Sequence, residues 1–349
     1  MKNNIIIFGS NGFVGSALAE SMKDDFDLKC IIRNKNSCSF ISNLGIQPII
    51  CNTLDYQETL NNIHEGSIVI NCVNGDYTTL VDSTKNIANA CIEKKAKKLI
   101  HLSSTDVYGN SKGVINEDSD MVGNRGEYSK AKIDSEKILY KLNNRLQIII
   151  LRPGIIYGKG STLWTNRIIE RKLNGFNLPE KAKKILCNLT YISDLILSIK
   201  RAINYNNQNI TCNIISDDKI VWEEYYNAYK IEGFNSKINF KGNAHLKFIV
   251  LMQAPIRFIA KPILKYLRFF VNIMYQKNKY SNTLLRSTQS NLKANPDVNE
   301  LSLLTTDVSY SNIKSKKYLK VEYTSFDKGL KETELWIKQI NLVQAQYQL

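Results

Sequence analysis

Three side chains have the types and spacing that proton transfer needs: Ser104, Tyr128 and Lys132. Tyr128 and Lys132 stand four residues apart in Tyr128-Ser-Lys-Ala-Lys132, so a helix opening there carries both on one face. A lysine ammonium beside a phenol favours the phenolate and lowers the tyrosine pKa. A phenol tuned in this way takes or gives a proton on a substrate hydroxyl or carbonyl near neutral pH. Ser104 lies twenty-four residues upstream in Ser103-Ser-Thr-Asp-Val-Tyr108-Gly109 and can hydrogen-bond the same oxygen. A Tyr-x-x-x-Lys by itself is common on solvated helix faces. The strand end ahead of it gives this one its weight.

The elements that must position these groups are legible in the hydrophobic pattern. Ile5–Phe8, Leu28–Ile32, Gln47–Cys51, Ser67–Cys72, Lys98–Leu102 and Gln147–Leu151 read as strands, with helical stretches between them, most clearly Tyr77–Lys95 and Ser129–Leu142. This alternation predicts an α/β fold, a parallel sheet covered by helices on both faces. In such sheets ligands bind beyond the carboxyl ends of the strands, so chemistry-bearing residues are expected just after each one. The first strand runs into Gly9-Ser10-Asn11-Gly12-Phe13-Val14-Gly15. There Gly9 permits a tight turn, Gly12 a close approach of backbone to a pyrophosphate, and Gly15 close packing of helix on strand. The helix start then offers N–H groups and partial positive charge to phosphates. The spacing G-x-x-G-x-x-G differs from G-x-G-x-x-G, and a purely structural turn is the alternative. Arg33 follows the second strand, where an arginine suits the 2′-phosphate of NADP and an acid would suit NAD. Asn52 and Thr53 follow the third strand, and the Asn52 amide can bond an adenine edge. Cys72, Val73 and Asn74 follow the fourth, a small-residue turn past which a cofactor can run.

At 349 residues, with 43% hydrophobic and 23% charged residues, the chain has an ordinary globular composition and length for one large or two modest domains. Seven cysteines without Cys-x-x-Cys or a Cys/His cluster suggest no metal site and reduced thiols. Met-Lys-Asn-Asn leads straight into the first strand, leaving no room for a signal peptide, and no uncharged run approaches a membrane span. The expectation is a cytoplasmic protein. The net charge of +15 is local: from Gly233 to Pro296 there are eleven Lys and Arg and no Asp or Glu.

These pieces together resemble the extended short-chain dehydrogenase/reductases of the NAD(P)-dependent epimerase/dehydratase superfamily. The resemblance is carried by Gly9–Gly15, Ser103–Gly109, Tyr128–Lys132 and Leu151-Arg-Pro153-Gly-Ile-Ile-Tyr-Gly158. Tyr191-Ile-Ser-Asp194-Leu and the closing segment Ser325–Trp336 extend it, in order, along nearly the whole chain. It implies a Rossmann-like, doubly wound domain over 1–158 with return segments near 189–216, and a smaller, mostly C-terminal substrate region over 159–188 and 217–340. It also implies NADP or NAD as cofactor, bound by Gly9 to Gly15, Arg33, Asn52, Thr53, Cys72, Val73, Asn74, Tyr128, Lys132 and Pro153. Tyr128 would be the acid/base, Lys132 would tune it and hold the nicotinamide ribose, and Ser104 would bond the reacting oxygen. A nucleotide-linked sugar would be the substrate and a homodimer the assembly. Thr105 and Asp106 stand where the family's dehydratases carry Asp and Glu, which disfavours dehydration, although Asp106 alone can still act as a base. Leu80 occupies a position that often holds Asn. Arg33 favours a reductase exchanging NADPH.

In the second half, Trp164, Arg167, Arg171 and Lys172 combine an aromatic ring with cations and suit a nucleotide diphosphate, or else form a surface amphipathic helix. Ile210–Ile215 reads as a strand returning to the sheet, Trp222–Tyr229 as a helix, and Asp194 as a helix cap. Within 244–276, Arg257, Lys261, Lys265 and Arg268 fall on one helical stripe, with Ile256, Ile259, Ile263, Leu267 and Phe270 on the apolar side and a kink or restart expected at Pro262. Such a segment either packs on the substrate region or docks on the inner face of a membrane. No reading motif for nucleic acid accompanies the charge. Two alternatives to a nucleotide-sugar enzyme remain: a reductase of an apolar or lipid-linked carbonyl compound at a membrane surface, and a non-enzymatic NADP-binding scaffold.

Overall fold

The computed structural model describes residues 4–230, 237–266 and 293–346. The described residues form two compact units. One holds those up to Thr165, Asn188–Lys219 and those from Val308 on; the other holds Asn166–Cys187 and those between Ile220 and Asp307. The sequence expectation assigned 217–340 as a whole to a substrate region. The stretch after Val308 instead clusters with the first unit, because its polar anchors are there. Thr324 donates its N–H and hydroxyl to the Asp194 carboxylate, at 3.1 and 2.7 Å, and the Phe326 N–H donates to Asp218. Asp194 is therefore a tie between segments; it does not cap its own helix, Ile192–Asn204, as the sequence suggested.

The first unit is built on β1 (Asn4–Phe8), β2 (Asp27–Ile32), β3 (Ile49–Ile50), β4 (Ile68–Asn71), β5 (Lys98–Leu102) and the strands Gln147–Pro153 and Ile210–Ile214. They lie parallel, in the order Ile210–Ile214, Gln147–Pro153, β5, β4, β1, β2, β3. Every expected strand is present. The third is trimmed to two residues. Near-continuous Ile, Leu and Val runs reflect burial on both faces. One face packs Leu18, Met22, Leu195 and Ile199 against Ile5, Ile7, Ile100 and Ile149; the other packs Ile87, Cys91 and Leu139 against Ile6, Val69, Leu99 and Ile148. Lys98 opens β5 fully buried, and its ammonium donates to the carbonyls of Ala202, Ile203 and Tyr205 at the end of the helix Ile192–Asn204.

The helix Glu127–Tyr140 is fixed to the sheet by an ion pair without solvent contact. Arg152 and Glu136 have side chains 1% and 0% exposed and meet through Nε–Oε1 at 2.9 Å and Nη2–Oε2 at 2.5 Å. Their remaining capacity is filled. Ser103 donates to Glu136 Oε1, Tyr140 donates to Oε2, and Arg152 Nη1 donates to the Tyr108 hydroxyl at 2.7 Å. Tyr108 in turn donates to Asn213. A buried pair of this kind tolerates its desolvation cost only because each lone pair and N–H is matched.

The second unit holds the parallel pair Phe176–Pro179 and Ile238–Lys241 and the helices Arg167–Asn174, Trp222–Ala228, Asn243–Tyr266 and Val298–Thr305. Trp222, Tyr225, Tyr226 and Tyr229 form its aromatic core, with Tyr226 stacked on Phe176. The helix Asn243–Tyr266 runs unbroken through Pro255 and Pro262, without the expected restart. Arg257, the first cation of the expected stripe, is half-buried and donates to Gln253 and the Asn295 carbonyl, so it serves packing. The side chains of Lys261 and Lys265, and Arg268 altogether, lie outside the described residues. Among the described residues no helix is long and apolar enough to cross a membrane, and no cluster could hold a metal.

Two outcomes follow from these anchors. Arg152→Leu strands the Glu136 carboxylate and is expected to lower the unfolding free energy in urea by about 3–5 kcal/mol, whereas Arg152→Leu/Glu136→Leu costs clearly less; equal losses would mean the pair is not the anchor. Burial raises Asp194 from 3.8 to about 6, against the pull of its two hydrogen bonds from Thr324. With the folded value above the unfolded one, the folded chain holds the extra proton, and this contribution is lost as pH rises through about 6. The stability of the native chain relative to Asp194→Asn should therefore fall between about pH 4 and about pH 7, read by urea titrations at both.

Candidate active site

The parallel register brings the strand ends to one edge of the sheet. Phe8 lies beside Ile31 and Asn71, Asn71 beside His101, and Leu102 beside Leu151. Gly9, Arg33, Cys72, Ser103 and Pro153 thus gather along one edge although they span most of the first 153 residues.

Ser104 caps a short turn, Thr105–Tyr108, through its hydroxyl, which accepts the Asp106 N–H at 3.1 Å. The helix Glu127–Tyr140 starts against that turn, where Ser129 donates to the Asp106 carbonyl at 2.6 Å. Tyr128 and Lys132 share its inner face, with the ammonium 5.7 Å from the ring centroid. Lys132 is buried and donates to the Leu102 carbonyl at 2.7 Å. Burial pushes it down to about 8, against the opposing influence of Cys72 and Glu136. Tyr128 is 41% exposed. Its phenol is pushed up to about 12, first by burial of the hydroxyl end and then by the Asp106 carboxylate, while a hydrogen bond with Ser104 works the other way. The three residues converge as the spacing implied. The tuning differs from the expectation: in the chain itself the phenol is raised, because burial and the nearby Asp106 carboxylate outweigh the hydrogen bond with Ser104.

The residues expected around a substrate separate into two groups. Asp106 borders the phenol, and its carboxyl is raised by burial and restrained by Arg125, whose Nη1 lies 3.4 Å away. Thr105 is buried and bonds Tyr310, so it is directed into protein. Trp164 is half-buried, with its backbone N–H donated to Ser161 Oγ. Arg167 contacts Glu300 at 3.1 Å. Arg171 makes a two-point ion pair with the same carboxylate, bonds Tyr226, and lies over the Phe176 ring at 3.7 Å. Lys172 donates to the carbonyls of Asn227 and Tyr229. These cations hold the second unit together and do not form a free cluster for a diphosphate.

The glycine turn fits a dinucleotide. Gly9 has φ +76°, and a Cβ there would meet the Cys72 carbonyl at 2.7 Å; a Cβ on Gly15 would meet the Gly9 carbonyl at 2.3 Å. Both positions must therefore be glycine for the helix Phe13–Met22 to start this close to β1 and β4. Gly12 caps that helix in extended conformation, and a Cβ there would meet only the Gly9 carbonyl, at 3.3 Å, so its outer side is open to a phosphate. Asn11, Arg33 and Asn74 are exposed along this edge. The side chains of several residues expected to touch cofactor have partners within the protein. Ser10 donates its hydroxyl to the Ile31 carbonyl, Val14 and Val73 pack on the core, and Thr53 bonds Ser83. Asn52 accepts the Leu54 N–H with its amide oxygen, which leaves the amide nitrogen to serve as a donor. Burial raises Cys72 to about 12. Pro153 is buried at its strand end.

Arg125, Glu136 and Arg152 were not singled out from sequence. Glu136 repeats the four-residue step Tyr128, Lys132, Glu136 on the inner helix face, and Arg152 interrupts the apolar run Ile148–Leu151; a charge in each place signals a buried partner. Arg125 carries no such signal.

A family model described as NAD dependent epimerase/dehydratase family matches residues 5–209, more than half of the chain. UDP-glucose 4-epimerase of Vibrio cholerae is 25% identical over 222 residues, 57% of this chain and 66% of that protein. The chain thus spans just under two thirds of that relative's length. UDP-N-acetyl-alpha-D-glucosaminuronate decarboxylase of Bacillus cytotoxicus is 27% identical over 269 residues, 68% of this chain and 83% of that protein. Among solved structures, UDP-glucuronic acid 4-epimerase from Bacillus cereus in complex with NAD superposes with a TM-score of 0.68 at 18% identity, over 97% of this chain and 99% of that one, a likeness of fold. With the glycine turn, the Ser-Tyr-Lys geometry and the match over residues 5–209 in agreement, the chain belongs to the NAD-dependent epimerase/dehydratase family, of the extended short-chain dehydrogenase/reductase type.

Proposed function

We propose that this chain is an NADP-preferring enzyme that moves a hydride to or from a carbon of a nucleotide-linked sugar, as a reductase or an epimerase. One observation carries the reading: Ser104, Tyr128 and Lys132 converge at the same sheet edge as the glycine turn. The curated relatives named above support the substrate class, since both names specify UDP-linked sugars.

NAD(P), when bound along that edge, supplies the hydride acceptor or donor. The turn Gly9–Gly15 would hold the pyrophosphate, and Arg33 would pair with the 2′-phosphate. Tyr128 exchanges the proton of the reacting substrate oxygen. A phenol raised to about 12 is protonated at neutral pH, the form that donates to a carbonyl oxygen. In the oxidising direction Tyr128 must lose that proton, and the ammonium of Lys132, fixed on Leu102, lies one helical turn away to favour the phenolate. Ser104 bonds the same oxygen and orients it. Elimination of water fits poorly: Thr105 is turned to Tyr310 and Asp106 is held by Arg125.

Tyr128→Phe should lower turnover by roughly 10²–10⁴-fold with unchanged affinity for NADPH by fluorescence titration; undiminished turnover would remove Tyr128 from the reaction. Arg33→Asp should weaken NADPH by about 10- to 100-fold, the loss of one charge-assisted contact, with NADH little affected. Equal affinity of the native protein for NADPH and NADH would overturn the role given to Arg33.

A further inference from the structure

In the described part of the helix Asn243–Tyr266, the first cation of the expected basic stripe is turned inward and an apolar stripe is turned outward. Leu246 and Val250 are buried and pack with Leu301, and Arg257 follows them at the same register into the protein. The opposite face carries Phe248, Leu251 and Met252, which are 64%, 53% and 60% exposed. Their spacing of three and four residues makes one contiguous apolar stripe. Large apolar side chains grouped in this way on a soluble surface mark a contact site.

The surroundings select the occupant. Lys247 is exposed on the same helix and Lys241 is exposed at the end of the strand just before it, and no Asp or Glu occurs in the sequence between Gly233 and Pro296, against eleven Lys and Arg. A second copy of this chain docked face to face would bring the exposed lysines Lys241 and Lys247 of both copies together, and like charges across an interface are unfavourable. A surface that is anionic outside and apolar beneath satisfies both features. The helix is not apolar enough to cross a bilayer, so it would lie in the interface plane.

We propose that the chain docks peripherally on anionic lipid bilayers through this helix, with Phe248, Leu251 and Met252 entering the acyl boundary and Lys241 and Lys247 meeting the headgroups. The site is independent of the glycine turn and of Tyr128.

The test is sedimentation of the full-length protein with vesicles of phosphatidylglycerol and phosphatidylcholine, and of phosphatidylcholine alone, at low and high salt. The native chain should pellet with the anionic vesicles at low salt, less at high salt, and remain in solution with the neutral ones. Phe248→Ser/Leu251→Ser/Met252→Ser changes only exposed side chains. It should bind anionic vesicles at least tenfold more weakly while its NADPH titration is unchanged, so that loss of docking and loss of the cofactor site are read separately. A native chain that stays in solution with anionic vesicles overturns the proposal, as does a triple variant that pellets equally well. A triple variant that turns a dimer into a monomer by light scattering, with no vesicle binding by the native chain, assigns the face to self-association instead.

Discussion

The arrangement of the first unit depends on the buried ion pair of Arg152 and Glu136. One partner is in the strand Gln147–Pro153, the other on the helix Glu127–Tyr140, and Ser103 at the end of β5 joins them through Glu136. The pair therefore sets the rotation and height of the helix that presents Tyr128 and Lys132 relative to the strand that presents Ser104. A hydrophobic contact could hold the helix against the sheet but would let it slide. Two charge-assisted bonds with fixed geometry, flanked by Tyr108 and Tyr140, permit one register. Burial makes that register costly to abandon, because either ion left alone in the interior loses its two charge-assisted bonds and keeps an uncompensated charge.

The second constraint is backbone proximity at the glycine turn. Gly9 and Gly15 bring the first helix within contact of the ends of β1 and β4, and Ser10 pins the turn to β2. The N–H groups of the turn and helix start are thereby placed on the same edge as the Ser-Tyr-Lys group without any sequence proximity between the two. The edge is also where charge is managed: Lys132 is held by a carbonyl, Tyr128 by Ser104, and Asp106 by Arg125. Each ionisable group has a protein partner that limits its motion, which is how a site keeps its geometry before a ligand arrives.

The second unit spends its charge differently. Arg167 and Arg171 converge on Glu300, and Lys172 on two carbonyls, around a core of Trp222 and four other aromatic rings. Cations that look available in the sequence are internal cross-links here. The helix Asn243–Tyr266 turns Arg257 inward and Phe248 outward for the same reason: Asn295, Gln253 and Leu301 supply the partners that fix its rotation.

The sequence by itself determined the order of strands and helices, the glycine turn, and the pairing of Tyr128 with Lys132. These follow from local rules: a period of two or of 3.6 in apolar residues, a turn needing glycine, and a four-residue step on one helix face. It also indicated the cofactor class, because phosphate binding at a strand-turn-helix is a local geometry. The tertiary structure decided what depends on partners far away in the chain. It turned Ser10 and Thr53 inward, raised the Tyr128 phenol instead of lowering it, made Asp194 an anchor for Thr324, consumed Arg171 on Glu300, and chose which face of the helix Asn243–Tyr266 meets water. A side chain's direction and protonation are set by the groups within a few ångströms of it. In this chain those groups come from segments 130 residues or more distant, as with Asp194 and Thr324 or Lys314 and Asp118, a separation that local pattern does not reach.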